Sequence, residues 1–293
     1  MKVLVTGATN GMGLGTARAL VQQPNVHVLV HGRSEARCKA TVAALGGPER
    51  ASALVADLSR LSDVAALVET IRRDHADLDA IFVNAGLGYL PEQLITEDGH
   101  DGHFQVNYLA HFQLVLGVLD LLENSEHGGR VVFNATHWGE VQFDDLKLER
   151  KWGHEPAIFQ GMAAKRLFYA RLHALYTGRS AKVSCYGFVI HKTVWSNQLT
   201  IIPWWMRAVA TLFKGFGQFI SIDQCGAVIA PLLVEDRATS SSRSGQLLTW
   251  KKGAYPPYPK GTPADPADIE RLWNLSLDLC DERTRESARR LEA

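Results

Sequence analysis

Cysteine is scarce in this chain. Its four copies in 293 residues, Cys38, Cys185, Cys225 and Cys280, stand far apart, with neither a C-x-x-C pair nor metal-ligand spacing. That excludes a disulfide framework and a zinc ribbon. The expectation is a set of reduced thiols in a cytoplasmic protein without a metal centre. An excess of either charge is missing too. Lys plus Arg and Asp plus Glu number 31 each, so no overall field draws the chain to nucleic acid or to an anionic membrane. No internal repeat is visible. No leader is expected ahead of the fold, because MKVLVTG already reads as a strand running into a glycine turn.

A long uninterrupted apolar run is also lacking. The nearest approach is residues 199–222, which begin LTIIPWWMRAVATLFKGFGQFI, but Arg207 and Lys214 lie in its middle. In a true span each central cation carries a penalty of roughly 2.5–3.5 kcal/mol. With Thr211 and Gln218 these cations make a polar stripe at helical spacing, opposite Trp205, Val209, Phe213, Phe216 and Ile220. The stripe reads as an amphipathic lid over an apolar ligand, with Trp205 toward the substrate. A helix on a membrane surface and an ordinary core helix are the other two readings.

What the chain does have is a core. Hydrophobic residues make up 46% and charged residues 21%, the balance of a soluble globular protein. Short β-branched or leucine-rich runs alternate with longer helical patterns. Strands are expected at 2–6, 26–31, 53–56, 80–83, 130–134, 182–189 and 246–250. Helices are expected near 12–22, 35–45, 61–74, 103–122, 157–176 and 225–234. This alternation predicts an α/β fold, a doubly wound parallel sheet of Rossmann type with helices on both faces, built as a single domain over 1–293. YPPYPKGTPADP, residues 255–266, reads as a proline-rich link with one helix after it.

The first strand runs straight into a glycine turn and a helix, VLVTGATNGMGLGTARAL. There Thr6, Gly7, Asn10, Gly11, Met12 and Gly13 form a loop whose backbone can approach a pyrophosphate, at a helix end offering free N–H groups. The second strand ends in HGRS. An Asp or Glu at that place would accept from a ribose hydroxyl; Arg33 and Ser34 stand there instead and suit a 2′-phosphate, which points to NADP(H). Asp57, followed by Leu58, ends the third strand; its carboxylate either accepts from an adenine amine or caps the next turn. Asn84, Ala85 and Gly86 bring open backbone to the cofactor's middle.

These motifs resemble the short-chain dehydrogenase/reductase family, most closely its retinol dehydrogenase-like branch. The T-G-x-x-x-G-x-G pattern runs from Thr6 to Gly13 and the N-A-G element from Asn84 to Gly86. DGHFQVNYLAHFQL is similar to the helix that carries the family's active-site asparagine, here Asn107. SGQLLTW and ADIERLWNLS are similar to that branch's last strand and C-terminal helix. The resemblance implies a Ser and a Tyr hydroxyl on the substrate oxygen, with a Lys that holds the nicotinamide ribose and an Asn that supports a water relay. Here Thr136 stands for the serine, and the Tyr-x-x-x-Lys element is Gly161-Met-Ala-Ala-Lys165. Relatives turn the chain after the sixth strand with Pro-Gly. This chain has Lys192-Thr193, with Val194 offering backbone to the carboxamide. His137, Trp138, Tyr89 and Tyr169 are the side chains considered near the reacting group.

A cofactor half that is intact beside a substrate half that is rebuilt implies an NADPH-dependent ketoreductase that works without the phenol. Loss of the phenol is expected to free volume beside Gly161 for a bulky, polycyclic aromatic ketone. In this the chain is similar to the tyrosine-less ketoreductases of antibiotic tailoring, the angucyclinone ketoreductase of simocyclinone biosynthesis among them. A non-catalytic NADP(H) sensor and a non-redox isomerase or cyclase are the rivals. Residues 141–156 form an insertion placed over a helix face that relatives use for dimerisation, which tilts the expectation toward a monomer.

Overall fold

The computed structural model describes residues 1–177, 182–190, 193–195, 219–259 and 264–293. Seven strands form one parallel sheet. In chain order they are β1 (Lys2–Val5), β2 (His27–Gly32), β3 (Ala51–Val55), β4 (Ala80–Val83), β5 (Gly129–Asn134), β6 (Val183–Val189) and the last, β9 (Leu247–Thr249). Their spatial order is β3-β2-β1-β4-β5-β6-β9. The chain builds outward from β1 to β3 and then restarts on the other side of β1, so Val3 lies in register with both Val28 and Ala80. The crevice where the winding reverses opens at the carboxyl ends of β1 and β4, the ligand position of such sheets.

Both faces of the sheet are covered, which is why its strands read as nearly continuous apolar runs. Leu4, Leu29, Ile81, Val131 and Phe133 point into one core with α3 (Leu61–Asp74), α5 (Ala110–Glu123) and α6 (His154–Tyr176). Val3, Val5, Val28, Val30, Phe82 and Val132 point into the other, against α1 (Gly11–Leu20). Between β2 and β3 runs α2 (Glu35–Ala44), capped by Ser34. The expected helix at 103–122 is interrupted. A single turn, α4 (Gly102–Phe104), is followed by a π-helical turn at Gln105–Leu109 before α5 begins. Such turns cluster at functional sites, and this one carries Asn107.

Beyond β6 the structure departs from expectation. β7 (Thr193–Trp195) and β8 (Phe219–Ser221) make a separate two-stranded parallel sheet, with Val194 in register with Ile220. The end of the supposed amphipathic helix at 199–222 is therefore a strand. Ser221 then opens α7 (Ile222–Val234) with a reciprocal capping box to Gln224, three residues ahead of the expected start. The rest of the proposed lid, Trp205 included, lies outside the described residues. A short α8 (Arg237–Arg243) precedes β9. Two helices follow the proline-rich link, not one: α9 (Pro266–Leu279) and α10 (Glu282–Glu292). The break falls at Cys280-Asp281, where Asp281 accepts from Thr284 N–H and starts a new helix.

The insertion is bound down without regular structure before α6. Gln160 accepts from the Gln142 N–H and donates to the Leu146 carbonyl at 2.9 Å each. Arg271 reaches from α9 to Asp144 at 2.7 Å and lies over the Phe143 ring. All four cysteines are buried and unpaired. Among the described residues no helix is long and apolar enough to cross a membrane. No cluster of three or more His, Cys, Asp or Glu side chains able to hold a metal ion occurs among them either.

Candidate active site

Thr6, at the end of β1, ties the crevice together. Its hydroxyl accepts from the N–H groups of Asn84 (2.8 Å) and Ala85 (3.0 Å) and donates to the Phe82 carbonyl. Asn84 returns a bond from Nδ2 to the Thr6 carbonyl at 2.8 Å. The glycine turn and the N-A-G turn are therefore one rigid unit. Gly7 has φ +69°, a left-handed conformation that favours glycine. A Cβ on Gly13 would lie 2.4 Å from the Gly7 carbonyl oxygen and 2.7 Å from Asn84 Nδ2. The backbone thus closes to a distance that admits no side chain. Asn10 caps α1 by accepting from the Gly11 N–H at 2.8 Å. The other first-turn N–H groups, Met12 and Gly13 among them, remain for an anion. This cradle fits the pyrophosphate of a dinucleotide.

Arg33 is exposed at the end of β2, beside the Ser34 hydroxyl that caps α2. One turn on, Arg37 reaches the Thr9 carbonyl of the glycine loop from its guanidinium at 3.4 Å. Two cations therefore flank the place where a ribose phosphate would sit. Asp57 Oδ1 accepts from the N–H and hydroxyl of Ser59, so that oxygen serves the turn, the second of the two uses left open by the sequence. Leu58 is buried in the core and can offer a ligand only its backbone.

The substrate side is built on α5 and α6. Asn107 accepts from the Leu87 N–H at 2.6 Å and donates to the Leu87 carbonyl at 3.3 Å, so its amide holds the segment after Gly86. Gly161 is packed against this same turn. A Cβ there would lie 2.9 Å from Asn107 Cβ and 3.0 Å from the His103 carbonyl oxygen. The freed volume expected at the root of the missing phenol is therefore absent: the two helices have closed on it. One turn further along α6, Lys165 is buried, its Nζ 3.4 Å from the Asn134 carbonyl at the end of β5. Burial pulls its pKa down from 10.5 to about 7. Thr136, two residues past β5, accepts from the Trp138 N–H at 3.4 Å, which leaves its own O–H to donate. Tyr169 is no substitute acid. Its ring is packed on Phe133 in the core, and burial holds its phenol above the ordinary value. Tyr89 is exposed and stands edge-on to His154, near the start of α6.

Three histidines matter that the sequence reading passes over. His31 Nδ1 accepts from the Gly7 N–H at 3.3 Å, and burial lowers its pKa to about 4, so it stays a neutral acceptor. His111 Nε2 lies 3.0 Å from the Thr6 hydroxyl, and burial, then the Lys165 charge, keeps it neutral as well. His103 bonds the Gly88 carbonyl from Nε2 at 2.8 Å and fixes the chain beyond the N-A-G turn. The signal for His111 was present: it stands four residues after Asn107, on the same helical face. A separate cleft lined by Met1, Lys2, His27, Asp77 and His127 lies at the amino ends of the strands, away from this chemistry.

The winding, the reversal at β1/β4 and the phosphate cradle define a nicotinamide-dinucleotide-binding oxidoreductase fold. Residues 1–146 match the family model described as short chain dehydrogenase. Polyprenol dehydrogenase of Mus musculus is 33% identical over 290 residues, 94% of this chain and 82% of the relative. Retinol dehydrogenase 14 of Mus musculus is 29% identical over 197 residues, 62% of this chain and 58% of the relative. The chain belongs to the short-chain dehydrogenase family. Among solved structures, the L-sorbose reductase of Gluconobacter frateurii, complexed with NADPH and L-sorbose, superposes with a TM-score of 0.61 at 18% identity. That match covers 86% of this chain and 95% of the reductase, and shows the shared fold.

Proposed function

We propose that this protein uses NADPH to reduce a ketone on a bulky, polycyclic aromatic substrate, without a phenolic acid. The observation that carries the reading is the packing at Gly161. The helices are closed at Gly161, while Lys165 Nζ lies by the Asn134 carbonyl and Asn107 holds Leu87, contacts that support the reading. Gln160, the residue before Gly161, is committed to the insertion. Bound in the crevice, the reduced dinucleotide supplies a hydride. Thr6, Gly7, Asn10 and Gly13 would seat its pyrophosphate, and Lys165 Nζ would hold its ribose. The Thr136 O–H, left to donate, would give its proton to the carbonyl oxygen, and water would replace that proton. General acid catalysis is worth roughly 10²–10⁴-fold, a loss that a reactive conjugated ketone tolerates.

Arg33 and Arg37 support the choice of NADPH over NADH. Arg33→Ala should narrow that preference roughly tenfold or more, the worth of a hydrogen bond to a charged group. The ratio of dissociation constants for the two nucleotides measures it. Equal affinities in the native protein would show that this loop does not read the phosphate.

A polyisoprenoid carbonyl is the second substrate reading, favoured by the polyprenol dehydrogenase relative that the chain matches over most of its length. The deciding experiment follows NADPH absorbance with a panel of polycyclic and isoprenoid ketones. Nucleotide binding without turnover of any ketone would favour a sensor or a non-redox isomerase instead. The four buried thiols suit a reducing compartment such as the cytoplasm. The docked insertion over α6 supports a monomer, which light scattering checks.

A further inference from the structure

We propose that the Trp138 indole is the stacking face for a planar conjugated ring system of the substrate, held in position by His137 and Tyr258 beside Thr136. This rests on the reading above, in which the carbonyl sits at Thr136. Three rings form a tilted ladder: Tyr258 to His137 at 4.4 Å and His137 to Trp138 at 4.5 Å between centroids. Its outer ring, Trp138, is 63% exposed. The backbone beneath it is fixed at three points. Thr136 accepts from the Trp138 N–H, Arg166 donates to the His137 carbonyl at 2.9 Å, and Gly139 packs on α6. A Cβ on Gly139 would lie 2.5 Å from the Phe159 carbonyl oxygen. Phe159 is itself exposed.

The fold covers the Trp138 indole only in part, through its contact with His137. An exposed aromatic face offers a flat apolar group both area to bury and a stacking geometry. The ligand that gains most is flat and already rigid, because it stacks on the π face with little conformational entropy to lose. A flexible isoprenoid must order its rotors to lie on the same ring. The ladder thus selects planar ring systems on a residue two positions along the chain from Thr136.

The test uses two ketones of equal carbon count, planar 9-fluorenone and flexible geranylacetone, on the full chain. Dissociation constants are measured by titration calorimetry with and without saturating NADP+, and KM is measured with NADPH. Trp138→Ala should weaken fluorenone binding roughly tenfold, Trp138→Phe should keep most of the affinity, and geranylacetone should change far less. Three results overturn the proposal: no fluorenone binding to the native protein, native affinity in Trp138→Ala, or equal losses for both ketones. If the native chain consumes NADPH with fluorenone and Trp138→Ala keeps its Kd and KM, the platform falls and the reductase reading stands. If Trp138→Ala loses binding but no ketone is turned over, the platform stands and the reductase reading falls.

Discussion

Gly161→Tyr should reduce a bulky ketone no faster than the native protein, and should melt at a lower temperature. The phenol cannot simply be put back. Its Cβ would fall 2.9 Å from Asn107 Cβ and 3.0 Å from the His103 carbonyl oxygen, and neither is the far end of a flexible side chain. To admit it, α6 must move off the π-helical turn. That movement disturbs the Asn107 amide, which holds Leu87 through both its N–H and its carbonyl. Overpacking of this kind costs about 1–3 kcal/mol. Gly161→Ala adds the Cβ without the ring and should show a similar stability loss, which separates the packing effect from the chemistry. The opposite expectation is equally definite. If the chain had merely lost its acid, the tyrosine should raise kcat by ~10²–10⁴-fold. Steady-state kinetics of both variants with NADPH and one polycyclic ketone decides the matter, and a gain of that size would overturn the proposed mechanism.

Lys165→Met should stabilise the nucleotide-free protein at neutral and acidic pH while abolishing productive NADPH binding. In the folded chain the ammonium is buried and its pKa falls to about 7, whereas the unfolded chain titrates near 10.5. Between those values the unfolded state holds a proton that the folded state has released, so stability rises with pH across the window. Below about pH 7 both states are charged, and the folded state bears the full cost of burying the cation. The titratable neighbour facing it is His111 of α5, itself neutral. At 1.36 kcal/mol per pH unit the ceiling is roughly 5 kcal/mol, and local relaxation makes a few kcal/mol the realistic figure. The gain in melting temperature should therefore be largest near pH 6 and should shrink toward pH 9.5. A pH-independent difference would mean that Lys165 is not held under strain.

Much of the fold was legible because it rests on local rules. The apolar runs of β1, β2 and β4 alternate with helical patterns. Leu61–Asp74 falls where its period places it, and the helices after Asn10 and Ser34 begin within a residue of the expected starts. The cradle at Thr6 to Gly13 was legible for the same reason, since its function needs small residues at fixed spacing after a strand. What local rules do not carry was missed. β7 and β8 are three residues each and exist only by pairing with one another across a long stretch of chain. The π-helical turn at Asn107 has no sequence period of its own. The second C-terminal helix was hidden because ERTRESARRLE is so polar that its buried face, Thr284, Ala288 and Leu291, is narrow.

At the candidate site the division is the same. The sequence by itself determined that glycine stands at 161, threonine at 136 and arginine at 33, and the family resemblance reads these as the places of a tyrosine, a serine and an acid. Those are identities at known spacings. Only the tertiary structure decided how much room there is at Gly161, because that depends on how closely α6 approaches α4 and the π-helical turn, a distance set by packing across some fifty residues of chain. It decided likewise that Tyr169 belongs to the core, that His31 and His111 brace the cradle as neutral partners, and that Trp138 stands exposed on a ladder of rings. A side chain's identity is written in the chain. Its surroundings, and hence its charge, room and reach, arise only when distant segments pack against it.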